Sequence, residues 1–101
     1  MKFGLEEKVI EKINLVFASF PKISKVVIYG SRAKGNYREG SDIDLTLIGE
    51  GLDLSVLNAV DTKLDDLLLP YLFDISIFEQ ITNSDLVNHI ERVGKLMYEK
   101  Q

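Results

Sequence analysis

The 101-residue chain has no cysteine, no tryptophan, two prolines and one histidine. Without cysteine, disulfides and thiolate-bound metals are excluded. The single imidazole, His89, leaves little scope for a histidine-built zinc site or a Ser-His-Asp triad, and is read as a structural or surface group. No apolar run approaches the ~20 residues needed to cross a bilayer, and Met1 to Glu7 lacks an apolar signal core, so a cytoplasmic protein with no membrane contact is expected. Positive charge is also scarce. Twelve Lys and Arg stand against 16 Asp and Glu, a formal net charge of −4, which argues against a protein that grips nucleic acid directly. At 46% hydrophobic and 28% charged residues the composition is that of an ordinary globular chain, and a single domain over residues 1–101 is expected.

What the chain does have is one polar loop between two apolar runs. Val26-Val27-Ile28-Tyr29 reads as a strand, Gly30-Ser31 follows it, ten residues intervene, and Asp42-Ile43-Asp44 leads into Leu45-Thr46-Leu47-Ile48, a second strand. Gly30 permits a sharp bend and close approach to a ligand. Ser31 adds a hydroxyl and a backbone N–H, and such groups form a concave site for phosphate. Side chains two apart on a strand share a face, so Asp42 and Asp44 project together while Ile43 and Leu45 point into the core. Paired carboxylates repel unless a cation lies between them, and an oxygen-only donor set suits Mg²⁺. Arg32, Lys34 and Arg38 against Glu39 make this loop locally basic. The substrate implied is a metal-bound polyphosphate. A solvated strand edge would carry the same Asp-x-Asp, so the pair alone does not decide.

Around this loop the periodicities place helices and strands in alternation. Leu5, Val9, Ile13, Val16 and Phe17 give residues 5–19 one apolar helical face, ended at Pro21. Ser31 to Lys34 forms a brief helical turn broken by Gly35, and Tyr37 lies in the loop beyond as a residue that packs locally rather than stacking on a base. Asp53 caps a helix over residues 54–68, whose Asp61, Asp65 and Asp66 form a solvated face. Residues 72–77 form a third strand with Leu72, Asp74 and Ser76 on one face. An acid in so apolar a run needs an explanation: either an edge strand facing water, or a place beside Asp42 and Asp44. Asn83 or Ser84 caps a helix over 85–93, ended by Gly94 at the position just past its C-terminus, and 95–99 is a short strand or tail. The alternation predicts an α/β fold with a small mixed sheet of three or four strands and helices packed on it.

Gly30-Ser31, ten residues, then Asp42-x-Asp44 resembles the DNA polymerase beta-type nucleotidyltransferase superfamily, and more narrowly the minimal nucleotidyltransferase (MNT) proteins, over nearly the whole chain. Lys34 stands where arginine is commoner, keeping the charge without the bidentate fork. The resemblance implies the polymerase beta-like palm and a third catalytic carboxylate at Asp74. It implies that Asp42, Asp44 and Asp74 hold two Mg²⁺ ions, and that Gly30, Ser31, Arg32 and Lys34 hold the nucleotide, ATP. It further implies a HEPN-domain toxin as partner in a hetero-oligomer, neutralised by transfer of AMP to a tyrosine. Two alternatives stand beside that activity: neutralisation by contact alone, or nucleotidylation of a small molecule of aminoglycoside type.

Overall fold

The computed structural model describes residues 1–101. Its elements run α1 (Glu7–Ala18), β1 (Lys25–Tyr29), α2 (Gly30–Lys34), β2 (Ile43–Ile48), α3 (Leu54–Asp65), β3 (Phe73–Ile77), a 3₁₀ turn (Phe78–Gln80), α4 (Ser84–Val93) and β4 (Lys95–Glu99). The four strands form one sheet in the order β3-β2-β1-β4. Pairing is antiparallel between β1 and β2 and between β1 and β4, and parallel between β2 and β3. The α/β class and the mixed sheet expected from the alternation are both present. The 95–99 segment is a true strand at one edge.

Strand alternation gives the sheet two unlike faces. Ile43, Leu45 and Leu47 of β2, with Val26 and Ile28 of β1, are fully buried beneath α1 and α3, which contribute Ile13, Phe17, Val60 and Leu64. Phe17 also meets the Tyr98 ring of β4 at 5.8 Å between centroids. The opposite face carries Tyr29, Asp44, Thr46, Asp74 and Ser76, and α4 packs there against β1 and α2. Only part of that face is covered, which leaves polar side chains on an open sheet surface.

Helix ends follow local chemistry, with two departures from expectation. Asp53 Oδ1 accepts from the Val56 N–H at 3.0 Å, and Asn83 Oδ1 accepts from Asp85 and Leu86, so both predicted caps form. Helix α1 starts at Glu7 rather than at residue 5, because Leu5 pairs with Lys2 in an isolated bridge and reaches the core from that turn. Helix α3 stops at Asp65 rather than 68: Leu68 lies at φ +55 and is 90% exposed, so the leucine run beyond the helix is a turn. Gly94 is extended at φ −57 and ψ 144, not left-handed. Its glycine is required by space, since a Cβ there would lie 2.4 Å from the Ile90 carbonyl oxygen and 2.6 Å from Val27 Cγ1.

Phe17 supplies the largest fully buried side chain of this core. Phe17→Ala is expected to cost ~3–5 kcal/mol, a large share of the ~5–15 kcal/mol that stabilises a typical domain. In urea unfolding the midpoint should drop with little change in slope; a loss under ~1 kcal/mol would show that α1 is not seated on the sheet as described.

Candidate active site

The register of β2 between its two neighbours builds the site. Tyr29 of β1 is opposite Asp44, and Asp44 is opposite Asp74 of β3, so the three stand in a row across one face of the sheet. Asp42 lies two residues before Asp44, immediately ahead of the strand, and is exposed. Both sequence readings of Asp74 therefore hold at once: β3 is an edge strand with Asp74 exposed, and Asp74 is the cross-strand neighbour of Asp44.

Asp44 is the most enclosed of the three acids. Burial raises its carboxyl above the ordinary carboxylate value, and Asp74 and then Asp42 raise it further by charge repulsion. The same environment acts on Tyr29: burial pushes the phenol up, and Asp74 and Asp44 add to that. This is a carboxylate cluster short of positive charge, built only from oxygen donors, and its chemistry fits a hard divalent cation. As the side chains stand, no group of three or more His, Cys, Asp or Glu is arranged to hold a metal ion, so coordination requires them to turn towards one another.

The bend at positions 30 and 31 lies against this row. Gly30 has φ +73, and a Cβ built on it would stand 2.3 Å from Asp44 Oδ2, so both backbone conformation and space demand glycine. The Gly30 N–H donates to His89 Nε2 at 3.2 Å. Ser31 is half-buried and its hydroxyl makes no hydrogen bond within the chain, while Lys34 is exposed at the end of α2.

Arg32 is placed differently from what its charge suggested. Its side chain is buried, with Nε and Nη2 donating to the Ser41 carbonyl at 3.0 and 2.8 Å and Nη1 donating to the Phe3 carbonyl at 2.9 Å. The guanidinium also lies 5.0 Å from the Tyr71 ring centroid and 5.6 Å from that of Tyr37. With three of its N–H donors used on backbone, Arg32 ties the loop at Ser41 to Phe3, and Ser41 directly precedes Asp42. Tyr37 packs locally through this contact, as the sequence suggested.

The polymerase beta nucleotidyltransferase family model matches residues 11–101. The chain belongs to that family. It is thus a nucleotidyltransferase, and the likeness extends to individual members. A Methanocaldococcus jannaschii protein named "putative protein adenylyltransferase MJ0604" is 29% identical over 102 residues, covering 92% of this chain and 98% of the relative. Among solved structures, a toxin–antitoxin complex with AMP-PNP matches with a TM-score of 0.72 at 23% identity, covering 96% of this chain and 76% of that chain. A complex of tri-AMPylated Shewanella oneidensis HEPN toxin with an MNT antitoxin matches with a TM-score of 0.70 at 19% identity, covering 96% and 75%. At these identities the structural likenesses establish the polymerase beta-like fold.

Within this family member the contact of His89 with Gly30 has little signal in the sequence. The only signal was its position on a helix whose neighbours 86, 87, 90 and 93 are apolar. Which loop that helix would meet was not written in the spacing.

Relief of the repulsion at Asp44 can be measured. Its folded-state pKa is raised, so ionising it costs stability; the cost is absent below the unfolded pKa and complete above the folded one. Asp44→Asn is expected to raise the melting temperature at pH 7, by about 4–8 °C for each ~1 kcal/mol relieved in a domain of this size. The gain should shrink as pH falls through the acidic range. A lowered melting temperature at pH 7 would contradict the assigned environment.

Proposed function

We propose that this protein is an antitoxin-type adenylyltransferase that moves AMP from ATP to a tyrosine hydroxyl of a HEPN-domain toxin, with Asp42, Asp44 and Asp74 as its catalytic acids. The observation that carries the reading is the lateral pairing of Asp44 with Asp74 beside the Gly30-Ser31 bend. Support for the partner comes from the Shewanella HEPN–MNT complex, whose toxin is AMPylated, and support for the nucleotide from the complex that holds AMP-PNP.

In this mechanism the bend and Lys34 hold the polyphosphate, the Ser31 hydroxyl and its N–H facing phosphate oxygens and the Lys34 ammonium neutralising them from outside. Asp42, Asp44 and Asp74 would hold two Mg²⁺ ions, which supply neutralisation of the triphosphate and acidify the attacking hydroxyl. Asp74, which is exposed on the edge strand, receives the partner's hydroxyl and takes its proton in this reading. The hydroxyl oxygen bonds to the α-phosphorus, the bond from that phosphorus to the bridging oxygen of the β-phosphate breaks, and pyrophosphate departs. Asp42 follows directly on Ser41, whose carbonyl Arg32 holds, so that contact fixes the backbone from which Asp42 projects. Arg32 accordingly serves nucleotide binding by fixing the loop rather than by touching phosphate.

One observation favours a second reading, neutralisation by binding alone: the carboxylates are not gathered into a metal-holding group. The two are separable in one assay. Incubation with radiolabelled ATP, Mg²⁺ and the cognate HEPN protein should label the toxin, and an Asp42→Asn, Asp44→Asn double variant should reduce labelling by at least about a hundredfold, in the range of losing groups that stabilise transition-state charge. Labelling unaffected by the double variant would sink the assignment. Protection of the toxin by an unlabelling variant would establish binding alone.

A further inference from the structure

We infer that His89 is a positioning residue for nucleotidyl transfer, holding the Gly30-Ser31 bend in the conformation that presents Ser31 to the phosphates. This rests on the reading of that bend as the phosphate-holding element.

The Gly30 N–H is an orphan donor. The first N–H groups of a helix have no partner within it, and Gly30 opens α2. A helix this short contributes little of its own stability, because nucleation fixes several residues for few hydrogen bonds. Something outside it must hold the bend. The Gly30 N–H is capped from 59 residues away by His89 Nε2 at 3.2 Å, the one side-chain hydrogen bond that ties α4 to the bend. An imidazole nitrogen that accepts carries no proton, so the geometry assigns the neutral tautomer with its hydrogen on Nδ1.

The ring has a second restraint. His89 lies edge-on to Tyr29, with centroids 6.0 Å apart and planes at 79°. Tyr29 is itself buried on the strand that leads into Gly30. His89 therefore grips both the last residue of the strand and the first of the bend. On the far side, Gly30 lies so close to Asp44 that an added Cβ would stand 2.3 Å from its carboxylate oxygen. A bend released from His89 could swing away from Asp44, which would separate the phosphate-holding group from the acids it must serve.

The test compares two substitutions. Glutamine places its Oε1 near the position of Nε2 and can accept from the Gly30 N–H, whereas leucine fills similar space with no acceptor. His89→Leu is expected to raise the KM for ATP about tenfold, with a smaller change in kcat, and His89→Gln to restore it to within about threefold of the parent. Both should melt within a few degrees of the parent. Two readouts do not depend on turnover: the ¹⁵N spectrum of His89 should show an unprotonated Nε2, and the Gly30 amide resonance should shift in the leucine variant but not in the glutamine one. Equal impairment by leucine and glutamine, no effect of leucine, or a protonated Nε2 would overturn the inference. If the parent transfers no AMP, the proposed function fails by itself, and the role of His89 is then decided by the Gly30 resonance and by the affinity for AMP-PNP with Mg²⁺.

Discussion

The register of one strand governs this molecule. β2 runs antiparallel to β1 and parallel to β3, and in that register position 44 is the shared neighbour of positions 29 and 74. A slip of one residue would exchange the faces of β2, sending its carboxylate into the core and its leucines into solvent. The fully buried Ile43, Leu45 and Leu47 oppose any such slip, because exposing them would forfeit roughly 1.5–3 kcal/mol each. The apolar face thus holds the polar face in place, and core packing and site geometry are two consequences of a single pairing.

That arrangement concentrates negative charge without relieving it. Asp44 is raised by burial and by both acidic neighbours. Native proteins tolerate such local instability where function requires it, and the cost here falls on a sheet face that α4 covers only in part. Positive charge is distributed to suit. Lys34 remains at the surface, whereas Arg32 is withdrawn into backbone contacts with Phe3 and Ser41. The fork of a guanidinium can reach two carbonyls from separate segments at once, which a lysine could not do in the same geometry.

Much of this was legible beforehand. The alternation of apolar residues, the caps at Asp53 and Asn83, and the spacing from Gly30-Ser31 to Asp42-x-Asp44 all express local rules, and the elements followed them. Errors arose where a distant contact overrode a local preference. Gly94 ends its helix as the pattern of residues suggests, yet it is glycine because Val27 and Ile90 leave no room for a Cβ. Residues 66–68 continued an apolar helical pattern, but the chain turns there with Leu68 at positive φ. Leu5 seemed part of α1 and belongs to the bridge before it.

The sequence by itself determined the chemistry available: a glycine bend, an Asp-x-Asp pair, a lone acid in an apolar strand and a family likeness, all carried by residue type and short spacing. Only the tertiary structure decided how those parts are joined. That Asp74 stands beside Asp44 depends on β3 pairing with β2 rather than elsewhere, a choice no local pattern encodes. The fates of His89 and Arg32 are decided in the same way: each is a polar side chain whose role depends on which backbone group folding brings within hydrogen-bond reach, and those partners lie 59, 29 and 9 residues away.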